Sequence, residues 1–317
     1  MKSPMKLWSV GIFKQDAFFN LENSSLSDCI KVFSSKKPRF RKKHIYTIAD
    51  PFLFANQESL FLFAEINRFF DKGYIVCWET IDLNKWHFHG IILKQPYHIS
   101  YPFIFRDNDD TIYMLPETTE ADEVALWKFE KFPKQITRYK SILKGKWFDS
   151  NIFYSNGTYY LFTTSEKNEL HIFYNSSLST NTWQPHPSNP ITNNKAYSRN
   201  GGGVLKINES LYRIAQNCSV EYGSNIVIRK ILTLNPQFYE EVPCVDDFKP
   251  ISNYRWQSLG RHHLSIVDFK SEKIIAMDGK EYDLYVNQLY SKSYSLIKRI
   301  KSIFKKNKSA FENPDRK

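Results

Sequence analysis

Asp50, Glu117 and Asp149 are the residues of this chain best suited to acid–base chemistry, because each borders an apolar, strand-like run. Asp50 precedes PFLF, Glu117 follows YMLP and Asp149 precedes SNIFY. Carboxyl groups crowded into one narrow space cannot all ionise freely. Repulsion raises some pKa values, so that one group becomes an acid and another a base. Two carboxyls set apart in this way are the parts needed for glycosyl transfer to water or to another acceptor. Glu65, His98, Tyr101, Arg199, Gln216, Tyr222, His262 and His263 form the set expected to bind substrate. Arg199 precedes three glycines, which allow close backbone approach; it either grips an anionic or hydroxyl-rich ligand or pairs with a nearby acid. Adjacent strand residues face opposite ways. One of His262 and His263 should therefore face the site, and the pair is not expected to hold a metal. No cofactor is expected. Each acid also has a structural reading: Asp50 as a cap before Pro51, Asp149 as an Asx-turn, Glu117 as a partner of Arg199.

These residues gather at one place only if the chain repeats. Five segments share one pattern, a short apolar strand, a polar turn and a second apolar strand. They are DPFLFANQESLFLFAE from Asp50, YPFIFRDNDDTIYMLPE from Tyr101, DSNIFYSNGTYYLFTTS from Asp149, GGGVLKINESLYRIAQN from Gly201 and HLSIVDFKSEKIIAMDG from His263. The first four start 51, 48 and 52 residues apart, and the fifth follows after 62. The turns QES, DNDD, NG and NES are hairpin sequences. Further strand-like runs, such as GYIVCWETI and EVALWKFEKF, fill each unit to about four strands. One four-stranded sheet per repeat, arranged radially, predicts an all-β five-bladed β-propeller over residues 1–285. A β-sandwich pair is the alternative.

A hairpin returns the chain to the end where it began. The residue before its first strand and the residue after its second then lie together. This pairs Asp50 with Glu65, Tyr101 with Glu117, Asp149 with Thr164, Arg199 with Gln216, and His262 or His263 with Asp278. All five pairs should crowd one mouth of the central channel.

The bulk composition agrees with a globular β protein. Of 317 residues, 42 % are hydrophobic and 16 % aromatic, and aromatics favour strands. The formal charge of +11 is local. The run from Lys36 to Lys43 carries +6 and the segment from Asn287 onward +7, which leaves the body at −2. Such patches suit phosphorylated ligands or anionic membranes. Nucleic-acid binding is not expected, because no aromatic platform interleaves the basic residues. Cys29, Cys77, Cys218 and Cys244 match no zinc spacing and are too few for a disulfide scaffold. No signal peptide and no apolar run of membrane-spanning length are apparent, so the expected setting is cytoplasmic and reduced. Residues 286–308 read as a basic amphipathic helix, which suits either the inner membrane face or packing on the propeller. Residues 309–317 read as a disordered tail.

The strings ADPFLF, HISYPF, YMLPE, RNGGG, LYRIAQNCSVEYG and HHLS resemble the five-bladed propeller at the N-terminus of plant glucosamine inositolphosphorylceramide transferases, over roughly residues 7–280. Wider kinship is implied with the propeller clan of glycoside hydrolase families 43, 32, 68 and 130. That clan places an acid on the first strand of an early blade, as Asp50 stands here, and further acids on later blades, where Glu117 and Asp149 stand. Two departures occur: Asn217 replaces an Asp, and His263 replaces a Thr. The resemblance implies a carbohydrate-handling propeller; the expected cytoplasmic setting, the basic C-terminal segment and the funnel of acids make a glycosyltransferase of surface polysaccharide or glycolipid synthesis the first reading. Its partners would be an activated sugar donor, a glycan or lipid-linked acceptor and an anionic membrane surface. A glycoside hydrolase and a non-catalytic sugar-binding module are the alternatives.

Overall fold

The computed structural model describes residues 6–22, 26–34, 46–68, 72–180 and 182–282. Residues 8–281 form one compact unit; the second unit, 1–7 with 282–317, contributes only Lys6, Leu7 and Tyr282 to the described residues. The basic run from Lys36 to Lys43, the expected helix at 286–308 and the tail at 309–317 lie outside the described residues.

Five antiparallel sheets make five blades. Strands β1 (Lys6–Asp16) and β2 (Cys29–Phe33) open the chain. Blade I is β3 (Tyr46–Ala55), β4 (Leu60–Arg68), β5 (Tyr74–Thr80) and β6 (His87–Leu93). Blade II is β7 (Ser100–Arg106), β8 (Ile112–Glu117), β9 (Glu123–Lys131) and β10 (Gln135–Lys144). Blade III is β11 (Trp147–Ser155), β12 (Thr158–Ser165), β13 (Leu170–Asn175) and β14 (Gln184–Pro185). In blade IV the inner edge is split into β15 (Arg199–Asn200) and β16 (Leu205–Ile207), followed by β17 (Ser210–Asn217), β18 (Asn225–Leu234) and β19 (Tyr239–Phe248). Blade V starts with the hairpin of β20 (Leu264–Phe269) and β21 (Glu272–Tyr282) and takes its outer strands from β1 and β2.

That last pairing closes the ring and explains the irregular fifth spacing. The final hairpin has no following strands of its own, so β1 pairs with β21 and the chain's beginning completes its last blade. Radial repetition leaves each blade only short, protected edges, and the shared blade V joins the two ends of the chain. The hairpins behave as their turns dictate. Ser155 pairs with Thr158 across Asn156 and Gly157, both with positive φ, which is the two-residue turn that matches strand twist. Five apolar clusters fill the blade boundaries; one joins Val10, Ile274 and Ala276 of blade V to Leu60, Leu62 and Val76 of blade I.

Three blades share a local device at the start of their inner strand. Pairing breaks between Ala49 and Phe52, between Ser100 and Phe103, and between Phe148 and Asn151. At each break one residue takes a left-handed φ: 51° at Asp50, 48° at Tyr101 and 48° at Asp149. Such a conformation costs a non-glycine residue about 1 kcal/mol or more and marks a bulge that re-aims a side chain. The exposed N–H at each break finds a carboxyl on the preceding blade. Asp50 N donates to Asp278 Oδ2 at 3.2 Å, Tyr101 N to Asp50 Oδ2 at 3.2 Å and Asp149 N to Glu117 Oε2 at 3.3 Å. Local strain in the strands is thus held by a blade-to-blade chain of acids around the axis.

A candidate active site at the mouth of the axis

The bulges turn Asp50 and Asp149 toward a cavity of about 230 Å³ at one end of the axis. Glu65 ends the apolar run of β4, Glu117 closes β8, and Arg199 opens β15. His98 precedes β7, Tyr222 sits on the turn between β17 and β18, and His262 stands just before β20. All eight line the cavity. Trp8 of β1, Thr47 and Ala49 of β3, Asn67 of β4 and Ser100 of β7 complete the lining. The sequence did not single these out. Trp8 comes to the site only because β1 closes blade V.

Three expected site residues stand behind the wall instead. Tyr101 is fully buried; its side chain crosses the axis, where its hydroxyl donates to Gly202 O at 2.8 Å and accepts from Gly202 N at 3.0 Å. His263 is buried against Phe52 and Tyr101, with ring centroids at 4.4 and 5.2 Å. Together these rings plug the channel beneath the cavity. Gln216 is buried too, and its Nε2 donates to Asp149 Oδ2 at 2.9 Å. Hairpin register alone had set all three at the mouth. The left-handed turn at Tyr101 and the alternation of faces along the strand send them inward.

The glycines after Arg199 make the plug fit. A Cβ on Gly202, whose φ is +155°, would lie 2.2 Å from Leu264 O. Asn217, where a family acid would stand, accepts from Ser219 N at 2.9 Å and Ser219 Oγ at 2.6 Å. It shapes the turn that carries Tyr222 and takes no part in the cavity.

Two cations organise the acids. Arg199 Nε donates to Asp149 Oδ2 at 2.5 Å, and its NH2 lies 3.8 Å from Glu117 Oε2. The guanidinium sits between the rings of Phe148 and Tyr222, 5.1 Å from each centroid. His262 bridges blades I and V: its Nε2 is 3.2 Å from Asp50 Oδ1 and its Nδ1 2.7 Å from Asp278 Oδ2. Trp8 covers that imidazole, with centroids 4.1 Å apart.

Burial and charge then drive the groups apart. Burial favours the neutral Asp50 carboxyl, but the hydrogen bond and charge of His262, with help from His263 and Tyr101 N–H, hold it at about 2. Burial pushes Glu117 up, and the neighbouring Asp149 charge reinforces this against Arg199, so it stays well above the usual range. Burial opposes charge on His262, yet the two flanking aspartates raise it to about 10. His263 is pushed down to about 4 by burial, which outweighs the charges of the same two aspartates because its ring makes no hydrogen bond to either. The cavity therefore offers an ionised Asp50 beside a protonated Glu117, a base and an acid in one enclosure. Asp50, His262 and Asp278 bring ligand atoms within 4.8 Å of one another. Held in its charged form by the flanking aspartates, the imidazole makes this trio an ion-paired bridge between blades.

The model of one family, described as glucosamine inositolphosphorylceramide transferase 1, N-terminal, matches residues 4–280. Glucosamine inositolphosphorylceramide transferase 1 of Arabidopsis thaliana is 31 % identical over 294 residues, covering 85 % of this chain and 38 % of that protein. The protein of the same name from Oryza sativa subsp. japonica is 34 % identical over 247 residues, covering 73 % of this chain and 33 % of that one. The chain thus spans about a third of the length of these relatives. Among solved structures, an α-L-arabinofuranosidase from Podospora anserina aligns with a TM-score of 0.58 at 12 % identity, covering 77 % of this chain and 94 % of that one. At that identity the likeness is one of fold alone.

Proposed function

The chain belongs to the family of glucosamine inositolphosphorylceramide transferase N-terminal domains, and from that premise we propose that its axial cavity carries out glycosyl transfer from an activated sugar to a glycan or lipid-linked acceptor. The observation that carries this reading is two carboxyls set differently in one cavity: Asp50 lies 3.2 Å from His262 Nε2, which favours its ionised form, and Glu117 is buried beside Asp149, which favours its protonated form. The acceptor hydroxyl loses its proton to Asp50 as its oxygen bonds to the anomeric carbon. The bond to the leaving group breaks, and Glu117 supplies the proton to the departing oxygen. Asp149 keeps Glu117 protonated through its charge, while Arg199 and Gln216 hold Asp149 in place. The names of the relatives give glucosamine as the sugar and an inositolphosphorylceramide as the acceptor; a sugar–lipid pairing of that type is the substrate class proposed for this chain. The basic segments at 36–43 and beyond 286 would hold it at an anionic membrane carrying such an acceptor.

Incubation of the purified chain with activated sugars and lipid-linked or oligosaccharide acceptors tests this directly. Transfer that disappears in D50N and E117Q is expected. Hydrolysis of glycans without transfer would replace the proposal with a glycoside hydrolase. Binding without turnover, unchanged in both variants, would replace it with a sugar-binding module.

A further inference from the structure

The two cations of the site are fully committed, and one carboxyl is left out. Arg199 serves Asp149 and Glu117, and His262 serves Asp50 and Asp278. Glu65 is buried, and among the described residues its only basic neighbour within 4 Å is His98, whose Nε2 is 3.4 Å from Oε1. His98 brings no charge. Its Nδ1 accepts the Gly73 N–H at 3.1 Å, which assigns the neutral tautomer with the proton on Nε2, facing Glu65. The fit is tight. A Cβ on Gly73 would lie 2.6 Å from Glu65 Oε1 and 2.6 Å from the His98 ring.

Resting on the reading that this cavity takes a sugar, we propose that Glu65, oriented by His98, is a neutral carboxyl whose Oε2–H donates a hydrogen bond to an oxygen of the bound sugar. Oε1 already faces the His98 N–H, so the acidic proton belongs on the other oxygen. The fitting ligand atom is one with no proton to give, such as a pyranoside ring or glycosidic oxygen. The titratable groups that face Glu65 are Asp50 on β3, Glu117 on β8, Asp149 on β11 and His262 before β20, with His98 at its side. Burial raises the carboxyl, the Asp50 and Asp149 charges raise it further, Glu117 adds to this only when it ionises, and His262 opposes them. Burial likewise lowers His98. Lys72 beside this wall is paired with Glu120, whose Oε2 also accepts the backbone N–H of His98. A carboxylate here would only add repulsion, whereas a neutral acid donates without bringing charge.

Infrared difference spectra of wild type against E65Q at neutral pH give the first readout, which needs no ligand. The C=O band of a protonated carboxyl is expected in wild type and absent in E65Q; no such difference overturns the proposal. Binding of methyl glucoside and of glucosamine, measured by calorimetry, gives the second. E65Q keeps a neutral donor, so its methyl glucoside affinity should stay within about threefold of wild type. E65A should lose about tenfold, as expected for one unmade buried hydrogen bond. Wild-type affinity should fall as pH rises through the Glu65 titration, and that fall should vanish in E65Q. Disappearance of the infrared band when glucosamine binds would make Glu65 a counter-ion for an ammonium and refute the donor role. Sugar binding that is independent of pH and of position 65 would remove this inference alone. No binding of either sugar would remove the sugar-handling reading with it.

Discussion

Replacing His262 by Gln should cost this protein several kcal/mol and flatten its stability between pH 6.5 and about 10. His262 is buried and spans Asp50 and Asp278, so it ties the first blade to the last. Its imidazole ordinarily titrates at 6.5 and is raised to about 10 in the fold. A raised pKa means that the folded state binds the proton more tightly. The gain is therefore complete below 6.5 and is lost as pH climbs through the folded value. A shift of this size corresponds to roughly 3–5 kcal/mol at about 1.4 kcal/mol per pKa unit, which matches the ~3–5 kcal/mol cost of breaking a buried ion pair. Asp50 shares the same interaction, so its own displacement must not be added. Its signature lies elsewhere: stability should fall as pH drops from 3.8 through about 2. The assay is urea unfolding of wild type and H262Q at a series of pH values. Subtracting the variant cancels the titrations of groups that His262 does not touch. Parallel curves for the two proteins between pH 6.5 and about 10 would refute the ion-paired bridge.

Other outcomes follow from the same geometry. D50N and E117Q should each lower turnover by at least about 10²-fold, with stability read in parallel by thermal unfolding. Arg213 is fully buried and forms two bonds of 2.7 Å to Glu241; R213M should destabilise by about 1–3 kcal/mol in urea, because it removes both bonds and leaves that carboxylate with only Arg229 Nε at 3.3 Å and the Tyr239 hydroxyl at 2.6 Å. G202A should cost more than about 1 kcal/mol, since its Cβ would meet the Leu264 carbonyl. Co-sedimentation with anionic vesicles should fall when the lysines and arginines of 36–43 are replaced by Ser, and binding that is equal on neutral vesicles would discard the membrane role.

Much of the fold was legible because hairpins write themselves locally. The turn at Asn156 and Gly157 needs two left-handed residues, and only a few residue types supply them. The blade count and the gathering of Asp50, Glu117 and Asp149 follow from that register. What the sequence withheld depends on contacts far apart in the chain. The pairing of β1 with β21 leaves no mark in a local window, so Trp8 was invisible as a lining residue. The left-handed turns at Asp50, Tyr101 and Asp149 carry no glycine to betray them; acids of the preceding blade hold them in place. For the same reason Tyr101, Gln216 and His263 were expected at the mouth and stand beneath it.

Catalysis as proposed needs acids from separate blades to meet around one bound sugar. A crystal structure of E117Q soaked with an activated sugar and acceptor addresses it most directly. The account requires the anomeric carbon to lie in the axial cavity, between Asp50 and residue 117. A sugar ordered anywhere else on the propeller, with that cavity holding only solvent, would contradict it.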